Sequence, residues 1–188
     1  MCGEPIGKQD QFAAALGGYN RLSFGLDGKV THKKIKLQKE FKSYFESQWL
    51  VFFTGISRSA SSLLYQQKNL MNEKNIFNTQ KEIATLCDDF QIALANEDFL
   101  SLARIINESW ELKKSISTNI SNSIIDEMYS AAIENGALGG KLLGAGAGGF
   151  LFLLVPKSKT TRVKEALKQF RLFQFSSEED GAKVIYKD

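Results

Sequence analysis

Residues 141–150, KLLGAGAGGF, set four glycines among ten positions and run straight into the apolar stretch LFLLV at 151–155. A glycine costs about 0.5–1 kcal/mol of extra backbone entropy in a regular element, so a run this dense signals positive φ or close backbone approach. The order reads as strand, glycine loop, strand. The spacing Gly144-x-Gly146-x-x-Gly149 also satisfies a dinucleotide-binding fingerprint. That fingerprint requires a helix after it, and 151–155 reads as strand instead. A tight hairpin loop packed on its own sheet is the purely structural alternative. Gly136, Gly139 and Gly140 carry the glycine density well ahead of the turn and speak against that alternative.

Working outward, residues 19–24 and 30–37 flank the turn Leu26-Asp27-Gly28-Lys29. Asp-Gly between extended runs is the strongest short-range hairpin signal. WLVFFT at 49–54 is a short apolar run ended by Gly55, which predicts a buried strand. Ile83, Leu86, Cys87, Phe90 and Leu94 then share one helical face, and Thr79-x-x-Glu82 ahead of them suits a capping box. Phe99, Leu102, Ala103, Ile106 and Trp110 repeat the pattern after the break Asn96-Glu97-Asp98. Ile125, Met128, Tyr129 and Ala132 mark a third helix, closed by Asn135-Gly136. A last helix should turn Val163, Ala166, Leu167 and Phe170 inward, with short strands near 172–175 and 182–186. Strands on both sides of a helical block predict an α+β domain, a mostly antiparallel sheet with helices packed on it.

At 188 residues the chain suffices for one good core. A net charge of +3 gives no concentrated basic stripe, so neither nucleic acid nor membrane is expected as a partner. No apolar stretch approaches the ~20 residues of a membrane span. The two cysteines, Cys2 and Cys87, fit no metal spacing or disulfide framework and are expected as reduced thiols in a cytoplasmic protein. The single histidine, His32, reads as an exposed strand residue. No metal site is expected in this chain.

Chemistry concentrates in two further stretches. In PIGKQDQFAAALGGYN, residues 5–20, Asp10 stands among Lys8, Gln9 and Gln11 at the start of a short Ala-rich helix. A carboxylate there is stabilised in its charged form by free backbone N–H groups and points out of the helix end. The alternative is a plain N-cap aspartate. One cation, one anion and two amides in four positions would suit a polyhydroxylated ligand. TGISRSASS, residues 54–62, ends a strand and opens a helix. Its backbone amides, the Ser57 and Ser59 hydroxyls and the Arg58 guanidinium would suit an anionic sugar phosphate. A serine-rich cap with Arg58 in solvent is equally compatible with the pattern. Lys113 and Lys114, after Trp110, read as a solvated helix face.

GKQDQFAAALGGYN, FFTGISRSASS, SWELKKSIS and GALGGKLLGAGAGGFLFLLVP, in this order, resemble the GHMP small-molecule kinases. The similarity runs the length of the chain. It is strongest to the branch that phosphorylates the anomeric hydroxyl of D-glycero-D-manno-heptose 7-phosphate, and more distant to galactokinases and fucose kinases. The resemblance implies the ferredoxin-like C-terminal domain of that family, with residues 1–37 belonging to its N-terminal or central part. It implies Asp10 as the catalytic acid residue near the sugar hydroxyl, with Lys8, Gln11, Ser57 and Arg58 holding sugar or phosphate. The loop Gly144, Ala145, Gly146, Gly148 and Gly149 would lie against the ATP-phosphate loop and line the site floor. Ala147 departs from the usual glycine run, and an alanine there is expected to have an ordinary, negative φ.

The family also carries a Gly-Leu-Gly-Ser-Ser-type loop that wraps the ATP phosphates, and a Ser and a Glu that hold magnesium. This sequence has no such loop. The expectation is therefore the C-terminal portion of an ATP- and magnesium-dependent sugar kinase, inactive by itself. Its expected partners are a sugar or sugar phosphate, the N-terminal half of the same kinase and, as an open possibility, a second copy in a homodimer. The rival expectation is a non-catalytic sugar-binding or interaction module that keeps the fold without the chemistry.

Overall fold

The computed structural model describes residues 7–57 and 74–186. Among them are six α-helices and six strands: α1 Gln9–Leu16, β1 Tyr19–Phe24, β2 Val30–Ile35, α2 Lys39–Ser47, β3 Trp49–Phe53, α3 Lys74–Ala95, α4 Phe99–Ile116, α5 Ser123–Glu134, β4 Gly139–Leu142, β5 Phe150–Leu154, α6 Thr160–Ala166 and β6 Leu172–Phe173. β1 and β2 form an antiparallel ribbon of their own, from Tyr19 opposite Ile35 to Phe24 opposite Val30. The other strands make a four-stranded sheet in the order β4-β5-β3-β6, every neighbouring pair antiparallel. Helices α3 to α5 cross from β3 to β4 and α6 crosses from β5 to β6, each connection skipping one strand. This is the split βαβ pattern of the ferredoxin-like fold, as the sequence resemblance implied.

The period of two in β3 and β5 gives the sheet two apolar faces. Leu50, Phe52, Leu151 and Leu153 enter one core with Trp110, Met128 and Leu167. Trp49, Phe152 and Leu154 face a second core with Phe41, Phe45, Phe99 and Leu102. α4 reaches both, since Trp110 and Ile116 lie in the first and Phe99 to Ile105 in the second. It crosses β4 closely: a Cβ on Gly139 would stand 2.3 Å from the Ala103 carbonyl oxygen. Gly139 therefore answers to helix–strand packing, and its proximity to the glycine loop in sequence is incidental to ligand binding.

The ribbon rests on α3. Arg21 donates to Gln91 at 3.0 Å and pairs with Asp88, while Tyr19, Ile35 and Leu37 pack on the second core. His32 is exposed on β2, as expected. Four local readings fail. α2 was not anticipated, yet Phe41 and Phe45 sit one helical turn apart, are buried and stack at 5.8 Å. Thr79 does not cap a helix: it lies inside α3 and its hydroxyl donates to the Asn75 carbonyl at 3.1 Å. Residues 182–186 form no strand; Val184, Ile185 and Tyr186 are exposed. Cys87, placed by periodicity on the inner face of α3, is an exposed free thiol.

Candidate functional site

The glycine loop, residues 143–149, is pinned on three sides. At its base the Leu143 amide donates to the Phe150 carbonyl at 2.8 Å. Midway, the Ala147 amide donates to the Ile120 carbonyl at 2.8 Å, and the Asn122 side-chain amide donates to the Ala147 carbonyl at 3.3 Å. Asn122 also caps α5, its Oδ1 accepting from the Ile125 amide at 3.1 Å. At the far end the Gly149 amide donates to the Ile56 carbonyl at 2.9 Å, and the buried Thr54 donates to the Gly149 carbonyl from its amide at 2.9 Å and its hydroxyl at 3.0 Å. Gly148 passes so near this segment that a Cβ would stand 2.7 Å from the Ile56 oxygen.

Ala147 corrects the expectation of an ordinary backbone. It is buried and holds φ 61°. A left-handed alanine costs about 1–2 kcal/mol, and the two hydrogen bonds to residues 120 and 122 are what over-determine it. The loop thus spends the amides of Leu143, Ala147 and Gly149 on its own shape. Among the described residues, the N–H groups of Gly144, Gly146 and Gly148 have no internal acceptor. Backbone N–H groups left unpaired in a glycine loop can face anionic oxygens.

Lys113 ties α4 to this loop. Its ammonium donates to the Gly144 carbonyl oxygen at 2.6 Å. The expectation of a solvated face for Lys113 and Lys114 is overturned, because both are half-buried. Lys114 lies 5.7 Å from the ring centres of the buried Trp110 and Tyr129 and pairs with Glu111 at 2.9 Å. Burial lowers the Lys113 ammonium to a pKa of about 8, the charge of Lys141 adds to that effect, and the carboxylate of Asp10 opposes it. Lys113, bonded to the glycine loop, is therefore within electrostatic reach of both Lys141 and Asp10.

Asp10 is in the first turn of α1, exposed, and the N-cap position belongs to Lys8. Lys8 offers no side-chain cap bond; its ammonium donates instead to the Gly28 carbonyl in the hairpin turn at 3.0 Å. Gln11 turns back on its own helix start: oriented to satisfy both ends of its amide, it donates to the Gly7 and Lys8 carbonyls at 2.6 and 3.1 Å. Among the described residues the Asp10 carboxylate makes no hydrogen bond, so the simple capping role is not in use. Ser57 is exposed and follows Ile56, the residue that receives the loop's end. Arg58, with Ser59, lies outside the described residues.

A cleft of about 500 Å³ opens between the ribbon, α3, α4 and β4. Leu22, Ile35, Leu86 and Phe90 line it, with Gln9 and Lys141 among its polar groups. Burial also holds the Lys141 ammonium below its ordinary range. Lys113 and Lys141 are what the sequence reading missed. The signals were present: Lys113 is three residues after the buried Trp110, and Lys141 precedes the glycine loop between the buried Gly140 and Leu142. Among the described residues no group of three or more His, Cys, Asp or Glu side chains is placed to hold a metal ion. No helix among them is long and apolar enough to cross a membrane.

Comparison with known proteins places this geometry. Residues 90–171 match the family model described as GHMP kinases C terminal. A D-glycero-alpha-D-manno-heptose 7-phosphate kinase of Campylobacter jejuni is 33% identical over 94% of this chain, which covers 53% of that protein. A galactokinase of Pyrococcus furiosus is 25% identical over 93% of the chain and is covered to 55%. Among solved structures, a D-glycero-D-manno-heptose 1-phosphate kinase of Bacteroides thetaiotaomicron superposes with a TM-score of 0.64 at 26% identity, over 97% of this chain and 50% of that one. The chain thus spans about half the length of these relatives.

Proposed function

This chain carries the C-terminal domain of the GHMP kinases, and from that premise we propose that it is the C-terminal portion of an ATP-dependent sugar kinase. The substrate is a heptose 7-phosphate or a related sugar, and the group phosphorylated is the anomeric hydroxyl. The reading rests on one observation, the 33% identity to a heptose 7-phosphate kinase over 94% of this chain, with Asp10 exposed on α1 and the glycine loop bonded to α4 by Lys113 at 2.6 Å. The Campylobacter and Bacteroides relatives, both named as heptose phosphate kinases, support a heptose as the sugar.

Phosphoryl transfer depends mainly on positioning and electrostatics, with an acid residue orienting the attacking hydroxyl. Asp10 takes that role. It is exposed at a helix start, where the backbone dipole favours the carboxylate, and no hydrogen bond within the described residues competes for it. The amides of Gly144, Gly146 and Gly148 suit phosphate oxygens, so this loop forms the floor of the nucleotide site. Ser57 and Arg58 serve the sugar phosphate. Lys8 and Gln11, engaged with Gly28 and with the start of α1, hold the Asp10 helix in place and reach sugar only by exchanging those bonds. ATP supplies the transferred phosphoryl group when bound. Magnesium ligands, like the phosphate-wrapping loop, are assigned to the N-terminal half of the kinase. Residues 1–37 are assigned to the N-terminal or central part of the kinase, and the enzyme works in the cytoplasm, where ATP and sugar phosphates are at hand.

The test is ATP-dependent phosphorylation of heptose 7-phosphate, fucose and galactose, by the 188-residue chain and by the complete kinase that contains it. The complete kinase should prefer heptose 7-phosphate, and the chain alone should turn over none of the three. Turnover by the chain alone, or no sugar phosphorylation by the complete kinase, contradicts the proposal.

A further inference from the structure

The helix that carries Asp10 has little to hold it by its own side chains. No residue of α1 is buried, and Gly17 and Gly18 end it at positive φ. A helix of eight residues without a buried face is marginal alone, so its placement comes from what touches its ends. At the start, Lys8 donates to the Gly28 carbonyl at 3.0 Å. At the other end, residues 177–182 of the C-terminal tail lie across it. The Gly18 amide donates to the Glu178 carbonyl at 2.6 Å, and the Ala182 amide donates to the Ala15 carbonyl at 3.2 Å. The approach is backbone on backbone. A Cβ on Gly181 would stand 1.9 Å from the Ala15 oxygen, and one on Gly17 would stand 2.5 Å from the Asp180 carbonyl carbon.

The same tail is tied to α2 and the ribbon. Glu46, half-buried on α2, accepts from the Tyr19 hydroxyl at 3.1 Å and from the Ser177 hydroxyl, and pairs with Lys42 at 3.8 Å. Lys42 also pairs with Glu179, whose backbone carbonyl accepts from Lys34 of β2 at 3.3 Å. Tail, α2, β1 and β2 thus share one network of charge-assisted bonds, the stronger kind. Core packing does not account for it: among the described residues none after Leu167 is buried.

We propose that residues 177–182 are a clamp that positions α1, and through it Asp10, with Gly181 and Glu46 as its two fixed points. That the positioned carboxylate orients a sugar hydroxyl rests on the function proposed above; the clamp itself rests on the hydrogen bonds alone. Gly181 and Glu46 are positioning residues and act on Asp10 through α1. Gly181 holds no left-handed φ, so a methyl group there is opposed by the Ala15 oxygen and not by backbone strain. The tail, free of the core, can lift from α1 without unfolding the domain.

The test compares wild type with Gly181→Ala, with a chain ending at Ser176, and with Glu46→Ala and Glu46→Gln. In the 188-residue chain, NMR-detected amide exchange reads the clamp directly. Gly18 and the amides of α1 should exchange about ten-fold faster or more in Gly181→Ala and in the shortened chain, while Trp110 in α4 and Leu153 in β5 keep their protection. In the complete kinase, Gly181→Ala and Glu46→Ala should lower kcat with heptose 7-phosphate about ten-fold or more and leave the KM for ATP within about two-fold, as a misplaced reacting group does. Glu46→Gln still accepts from Tyr19 and Ser177 and should keep most of the kcat that Glu46→Ala loses. Unchanged exchange at Gly18 and α1 overturns the clamp, and faster exchange with unchanged kcat overturns its part in placing Asp10. Protection lost equally at Trp110 and Leu153 makes the tail a general stabiliser and also overturns the proposal. A wild-type kinase that phosphorylates no sugar defeats the proposed function and with it the service to Asp10; the clamp is still decided by exchange.

Discussion

The Ala147 amide donates to the Ile120 carbonyl at 2.8 Å from a backbone held at φ 61°. This bond fixes the middle of the glycine loop to the turn between α4 and α5, and the fixed loop presents Gly144 to Lys113. Ala147→Gly removes left-handed strain of about 1–2 kcal/mol but loses a buried methyl and adds unfolded-state entropy, so stability should stay within about 1 kcal/mol of wild type. Ala147→Val puts a branched Cβ into the same backbone and should cost about 2 kcal/mol or more. Urea unfolding of the two variants decides it. Equal stabilities would show that position 147 is not left-handed.

At Gly139 a methyl group would meet the Ala103 carbonyl at 2.3 Å, and backbone cannot swing aside as a side chain can. Gly139→Ala should therefore destabilise the chain by about 1–3 kcal/mol or more, the range of core overpacking. A change of only a few tenths in urea unfolding would mean that α4 and β4 are not so closely packed.

Lys113 gives the fold a pH signature. Its pKa is lowered from 10.5 to about 8, so between these values the unfolded chain binds more protons than the folded one. Stability then rises with pH across that window, because the penalty on the buried charge is relieved as the folded group loses its proton. Lys141, also lowered by burial, acts in the same sense. Tyr19 and Tyr129, raised by burial from 10.0, act oppositely above that value. The clean comparison is the urea midpoint between about pH 7.5 and 9.5, for wild type and for Lys113→Gln. Wild type should gain more than the variant over this interval. Parallel profiles would place Lys113 in solvent.

Local signals carried most of the fold into view. The Asp-Gly turn predicted the ribbon, and the periodic faces of 99–110 and 125–132 predicted α4 and α5 with their buried sides. α2 was missed because two aromatics in nine residues give a weak period, and its N-cap, Gln38, supplies no capping side chain. The misread positions depend on non-local partners. Ala147 turns left-handed because residues 120 and 122 hold it, Lys113 bends inward because Gly144 offers a carbonyl, and 182–186 stays out of both sheets. Asp10 and the glycine loop were legible as motifs through family resemblance. The bond from Lys113 to that loop required the fold.

The account turns on Asp10, and its most direct test is the kcat of Asp10→Asn in the complete kinase with heptose 7-phosphate and ATP. The amide keeps the size of the side chain and loses both charge and basicity. With no hydrogen bond from Asp10 within the described residues to break, the fold and the KM for sugar should be nearly unchanged. kcat should fall by about 10² or more, the scale of a lost acid–base group. A kcat within a few-fold of wild type would contradict the account and leave Asp10 as a helix-start charge without a part in phosphoryl transfer.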